Sequence, residues 1–183
     1  MSPKTAIIPK PSINAISRQA YAKLNVLVIE DAGHMSGLIC GILKSLGVGR
    51  ISEARSGRDA LDIMNFQAVD LVVTDDLGPP MDGLAVAREI RKSKSPEIST
   101  IPIIHITSKL QKSAIFAARD AGVTEVLSKP FSATQMIARI ESALANPRPI
   151  IKAQGFVGPD RRRKIKDSTE RRRSADKNLA SDT

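Results

Sequence analysis

Four stretches of this chain end apolar runs in groups that can bind ions or move protons. Glu30-Asp31 follows "VLVI", Asp75-Asp76 follows "LVVT", Thr107-Ser108 follows "IIHI", and Ser128-Lys129-Pro130 follows "EVL". Gathered in one place, these carboxylates, hydroxyls and ammonium would suit one kind of chemistry. Clustered carboxylates repel one another, and each loses hydration on burial. A hard divalent cation relieves both costs, and Mg²⁺ characteristically takes one or two carboxylates together with waters and phosphate oxygens. A lysine and a hydroxyl are the groups that steady a phosphoryl group. The residue types therefore point to Mg²⁺-dependent phosphoryl transfer to a carboxylate, provided that the fold brings them together.

The elements between them supply that condition. "LNVLVI" is a short apolar run. After it Met35, Leu38, Ile39, Ile42, Leu43 and Leu46 fall at helical spacing, and Gly47 closes the stripe. "RISEA" reads as a second strand. Ser56-x-x-Asp59 reads as a capping box opening a helix that carries Leu61 and Met64. "VDLVVT" is a third strand, and Asp82 caps a helix with Leu84, Ala87 and Ile90. "IPIIHIT" is a fourth strand, followed by a helix from Leu110 to Ala121. "TEVLS" is a fifth, and Ser132-x-x-Gln135 caps a last helix with Met136, Ile137, Ile140 and Leu144. Runs such as "VLVI", "LVV" and "IIHI" are apolar without alternation, as expected when both faces are buried. Strands that alternate with helices imply a parallel sheet with right-handed crossovers, whose site lies beyond the carboxyl ends of the strands. His105, in mid-strand, reads as a core histidine.

"VLVIED", "DLVVTDDLGPPMDG", "IPIIHITS" and "VLSKPF", in this order and spacing, resemble the characteristic segments of bacterial response-regulator receiver domains across residues 24–145. The resemblance implies a flavodoxin-like, doubly wound α/β fold, with five parallel strands in the order 2-1-3-4-5 and five helices. It implies phosphorylation on an aspartate by a histidine kinase or a histidine phosphotransfer protein. The spacing to the prolines and the M-D-G turn places the acceptor at Asp75. Strand periodicity agrees, since Asp75 directly follows "LVVT", and Asp76 is expected in the loop and solvated. In the implied roles Glu30, Asp31, Asp75 and the Leu77 carbonyl hold Mg²⁺, Thr107 hydrogen-bonds the phosphoryl group, and Lys129 neutralises it. Lys129-Pro130 is expected to be cis. Two departures stand out. Val126 occupies a position where many receivers carry Tyr or Phe, so the usual aromatic switch is absent. Leu77, beside the acceptor, offers no hydrogen bond to an attacking water, which suggests slow self-dephosphorylation.

Charge divides the chain in the same way. Residues 1–23 carry four Lys/Arg and no acid, residues 146–183 eleven Lys/Arg against five acids, and residues 24–145 thirteen against fourteen. A near-neutral domain thus stands between a basic N-terminal arm (1–23) and a basic tail (146–183). The tail is Pro/Gly-punctuated and expected to be disordered. It repeats an acid followed by three arginines at Asp160–Arg163 and Glu170–Arg173. No aromatics are interleaved among those arginines, so at most weak, sequence-independent nucleic-acid contact is expected from the tail. The single cysteine, Cys40, excludes an intramolecular disulfide framework. No run reaches the roughly 18 apolar residues of a membrane span, and the default expectation is a cytoplasmic protein. The expected function is that of a phosphoacceptor signalling protein in a two-component or phosphorelay system. It would catalyse only its own phosphorylation and dephosphorylation, and act by phosphorylation-dependent contact with a downstream protein. The alternative is a transcription regulator whose tail binds nucleic acid directly.

Overall fold

The structure, a computed structural model, describes residues 17–145, 150–153 and 156–159. Five strands, β1 (Asn25–Ile29), β2 (Arg50–Ala54), β3 (Leu71–Thr74), β4 (Ile103–Thr107) and β5 (Glu125–Ser128), form one sheet in the order β2-β1-β3-β4-β5. Every neighbouring pair is parallel. Seven helices accompany them: α1 (Arg18–Tyr21), α2 (Gly33–Leu46), α3 (Gly57–Phe66), α4 (Gly83–Lys92), α5 (Pro96–Ser99), α6 (Lys112–Asp120) and α7 (Ala133–Ala145). Fold class and strand order are as the sequence predicts.

The central strands feed both faces of the sheet, which is why the runs of β1, β3 and β4 are apolar without alternation. On one face Val26, Val28, Val73, Ile104 and Ile106 pack with Ile39, Leu43, Met136 and Ile140 of α2 and α7. On the other, Leu27, Ile29, Val72 and Ile103 pack with Met64, Val86, Ile90 and Ala118 of α3, α4 and α6. The core is almost wholly aliphatic, as a chain with so few aromatics requires.

The predicted caps are present. The Ser56 hydroxyl accepts the Asp59 N–H, the Asp82 carboxylate accepts the Ala85 N–H at 2.7 Å, and Ser132 and Gln135 exchange bonds as a full capping box. The Asp59 carboxylate reaches the Arg55 N–H rather than that of Ser56, so that box is shifted by one residue. Gly47 closes α2 with φ +85°.

The structure differs from expectation at three places. Among the described residues seven helices stand where five were expected, because two single turns have start signals of their own. Ser17 caps α1 by accepting the Ala20 N–H, and Pro96 opens α5 at its first position. The helix expected from Leu110 begins at Lys112, which leaves Leu110 exposed in the preceding loop. And part of the tail expected to be disordered forms an antiparallel hairpin, β6 (Ile150–Ala153) with β7 (Phe156–Pro159). A lone two-stranded hairpin is marginal in water; here β7 lies against α4 and α6. The basic N-terminal arm up to residue 16 and the arginine repeats lie outside the described residues.

Arg91 on α4 was not singled out from sequence, yet it is 3% exposed. Its Nε donates to the Gly122 carbonyl and its Nη1 to the Ser99 carbonyl. Burial pushes the guanidinium down to about 10, and even there it remains charged at neutral pH. Among the described residues no helix is long and apolar enough to cross a membrane.

The M-D-G turn has a steric reason. A Cβ on Gly83 would overlap the Asp75 carbonyl oxygen, and the Gly83 N–H donates to the Asp76 carbonyl. The start of α4 is thereby pulled against the end of β3. Gly83→Ala is expected to cost about 1–3 kcal/mol, the usual penalty for overpacking. Urea unfolding of the two proteins would measure it, and unchanged stability would contradict the close approach.

Candidate active site

The polar residues that end the strands meet at the carboxyl edge of the sheet. Asp75 directly follows β3, is 8% exposed, and is held in line by its N–H bond to the Ile29 carbonyl. Lys129, just past β5, is positioned by its N–H bond to the Thr107 carbonyl. Its Nζ donates to Asp75 Oδ2 at 2.6 Å and lies 3.9 Å from Glu30 Oε2. The Lys129–Pro130 bond is cis. Glu30, at the end of β1, is 2% exposed, and its Oε1 accepts the Ala32 N–H at 3.0 Å.

One ammonium therefore faces two buried carboxylates. Burial, with Asp75 close by, pushes the Glu30 carboxyl up to about 7, against the Ala32 N–H, which favours its charged form. Glu30 Oε2 and Asp75 Oδ1 are buried without a hydrogen-bond partner among the described residues. Two bare carboxylate oxygens on one rim are the donor set a hard divalent cation takes, so these residues fit Mg²⁺. The third expected carboxylate, Asp31, is exposed to solvent. Among the described residues no three acidic, histidine or cysteine side chains are grouped as a ready-made metal site. Lys129 instead supplies the positive charge between Glu30 and Asp75.

Leu77 is the one non-glycine residue with positive φ among the described residues, at +50°. That left-handed conformation is uncommon outside glycine and asparagine and stores strain. It turns the loop so that the Leu77 side chain packs against the apolar cluster of the α3–α4 face. The leucine expected beside the acceptor is thus engaged with the core.

Thr107 and Asp76 depart further from expectation. Asp76 was expected to be solvated, but its side chain is only 26% exposed and is held on three sides. Thr107 Oγ1 donates to Asp76 Oδ2 at 3.1 Å, His105 Nε2 lies 3.2 Å from Oδ1, and Lys109 Nζ lies 3.9 Å from Oδ2. The Thr107 hydroxyl also accepts the Lys109 N–H at 3.0 Å. His105 is 3% exposed, and burial lowers its pKa while the nearby Asp76 and Asp75 oppose that shift. These groups border an open cavity of about 380 Å³ between the Asp76–Pro80 loop and the start of α6. Sequence did carry a sign of this arrangement. His105 lies two residues before Thr107 and so shares its face of β4; its pairing with Thr74, two residues before Asp76, appears only in the structure.

Fold and site together define an α/β domain with an acidic, lysine-bridged pocket at the carboxyl edge of a parallel sheet. Residues 26–141 match the family described as the response regulator receiver domain, and the chain belongs to that family. It is 32% identical over 132 residues to the transcriptional regulatory protein PdtaR of Mycobacterium tuberculosis, an alignment covering 72% of this chain and 62% of that protein. It is 29% identical over 118 residues to chemotaxis protein CheY-3 of Vibrio cholerae, covering 64% of this chain and 89% of that one. Among solved structures, a putative response regulator from Chloroflexus aurantiacus aligns with a TM-score of 0.62 at 28% identity, over 68% of this chain and 100% of that one. Chemotaxis response regulator CheY4 of Vibrio cholerae aligns at 0.61 with 21% identity, over 66% and 98%, a likeness of fold.

Glu30 makes the stability of the metal-free domain depend on pH. Its ordinary value is 4.5 and its folded value about 7. Between these the folded state binds more protons than the unfolded one, so this group's contribution to stability falls as pH rises through that window. Urea unfolding in EDTA from pH 4.5 to 8 should show the decline, and Glu30→Gln should flatten it. An equally steep decline in the variant would contradict this assignment.

Proposed function

We propose that the chain is a phosphoacceptor, with Asp75 taking a phosphoryl group from the phosphohistidine of a histidine kinase or a histidine phosphotransfer protein. The observation that carries this reading is the state of the Asp75 carboxylate. One oxygen is gripped by Lys129 and the other is buried without a partner. A carboxylate oxygen attacks phosphorus, the bond from phosphorus to the donor imidazole nitrogen breaks, and its electron pair leaves on that nitrogen. The Lys129 ammonium balances charge on the phosphoryl oxygens. Glu30, Asp31, Asp75 and the Leu77 carbonyl are the groups that would hold Mg²⁺, which when bound offsets the phosphoryl charge during transfer. The protein acts on no substrate but itself, and its output is phosphorylation-dependent contact with a downstream protein in the cytoplasm.

A second reading, direct nucleic-acid contact through the tail, draws on the arginine repeats and on the relative named a transcriptional regulatory protein. Such contact would weaken steeply with salt, with a log–log slope of roughly 0.9 per phosphate neutralised on duplex DNA.

Incubation with acetyl phosphate and Mg²⁺ should add one base-labile phosphoryl group per chain. Asp75→Asn should abolish the adduct, while label still appears on Asp76→Asn, whose Asp75 is intact. Glu30→Gln combined with Asp31→Asn should remove Mg²⁺ binding without unfolding the domain, since it relieves carboxylate repulsion. Full labelling of the Asp75 variant would overturn the acceptor assignment.

A further inference from the structure

The bonds around Asp76 carry a conclusion that rests on the proposed phosphoacceptor role and goes beyond it. A threonine hydroxyl has a single proton to donate. The Thr107 proton goes to Asp76 Oδ2 at 3.1 Å, and the oxygen's acceptor side is taken by the Lys109 N–H at 3.0 Å. Thr107 cannot at the same time donate to a phosphoryl oxygen on Asp75, so the two arrangements exclude each other. Asp76 does not hang free between them. Its other oxygen faces the buried His105 Nε2 at 3.2 Å, and His105 is fixed in mid-strand by pairing with Thr74 and Val126. The cavity beside these groups reaches Lys109 and Ala114, so the β4–α6 connection borders open space on the side where Thr107 is held.

We propose that Asp76 is a positioning residue for the phosphoryl switch: anchored by His105, it holds Thr107 in the resting arrangement and opposes the one that a phosphoryl group on Asp75 requires. Phosphorylation then has to break the Thr107–Asp76 bond. That requirement lowers the affinity of the resting protein for a phosphoryl group, and it couples the acceptor to β4 and to the loop before α6. Two adjacent aspartates thus have opposed roles, Asp75 accepting the phosphoryl group and Asp76 competing for the hydroxyl that would stabilise it.

The test uses the full chain with Mg²⁺ and beryllofluoride, a phosphoryl analogue, its affinity read by titration calorimetry. Asp76→Ala should bind about tenfold tighter than the unmodified protein, the scale of a hydrogen bond to a charged group. In a Thr107→Val background the same substitution should give almost no gain. Asp76→Asn keeps the shape and an amide carbonyl for Thr107, so its gain should be smaller than that of Asp76→Ala. If the alanine variant does not fold, Asp76→Asn measured with Thr107 and in the Thr107→Val background decides the matter by the same comparison. An equal gain with Thr107 present and absent, or equal gains for the alanine and asparagine variants, would show that Asp76 acts only through its charge and would overturn the proposal. So would unchanged or weaker binding by Asp76→Ala, alongside an unmodified protein whose binding is abolished by Asp75→Asn. An unmodified protein that binds no beryllofluoride would overturn the phosphoacceptor role itself, and this inference with it.

Discussion

One cation shared by two buried carboxylates governs this domain. Lys129 Nζ sits 2.6 Å from Asp75 and 3.9 Å from Glu30, and both acids are nearly closed to solvent. The pocket holds more negative charge than it can neutralise while metal-free. Buried like charges resolve such an excess by binding a proton or a further cation. Glu30 shows the first route, with its carboxyl pushed up to about 7. The bare oxygens of Glu30 and Asp75 offer the second. The sheet fixes this geometry, since the three groups stand at the ends of three different strands. Small adjustments at any one of them are felt by the other two.

The fold was legible because its evidence is redundant. Continuous apolar strands, helical stripes and three side-chain caps all point to the same alternation, and each survives in the structure. The place of Asp75 in the pocket was legible too, because it is the last residue whose direction the strand dictates. Past that point periodicity no longer helps. Asp76 lies where strand geometry has ended, and its surroundings come from β4, which pairs with β3 at a register the sequence does not state. A carboxylate in a loop reads as solvated unless the opposing histidine is known to be there.

Arg91 escaped notice for a related reason. A basic residue on an amphipathic helix ordinarily belongs to the wet face, and Arg88 beside it is exposed. What buries Arg91 is long-range, namely the carbonyls of Ser99 and Gly122, brought over α4 by α5 and by the turn after α6. The planar fork of a guanidinium serves two such acceptors at once from fixed directions.

That fork also divides α6 mechanically. At its carboxyl end the chain passes directly into the Gly122 carbonyl that Arg91 grips, so this end is pinned to α4. At its amino end Gln111 makes no side-chain capping bond, and the neighbouring loop borders open space. Side-chain bonds thus fasten the carboxyl end of α6 and leave its amino end to backbone bonds alone. Its amino end follows the loop that carries Lys109, whose backbone is tied to Thr107. The hydroxyl that ties this loop to the pocket therefore meets α6 at its uncapped end, opposite the one that Arg91 holds.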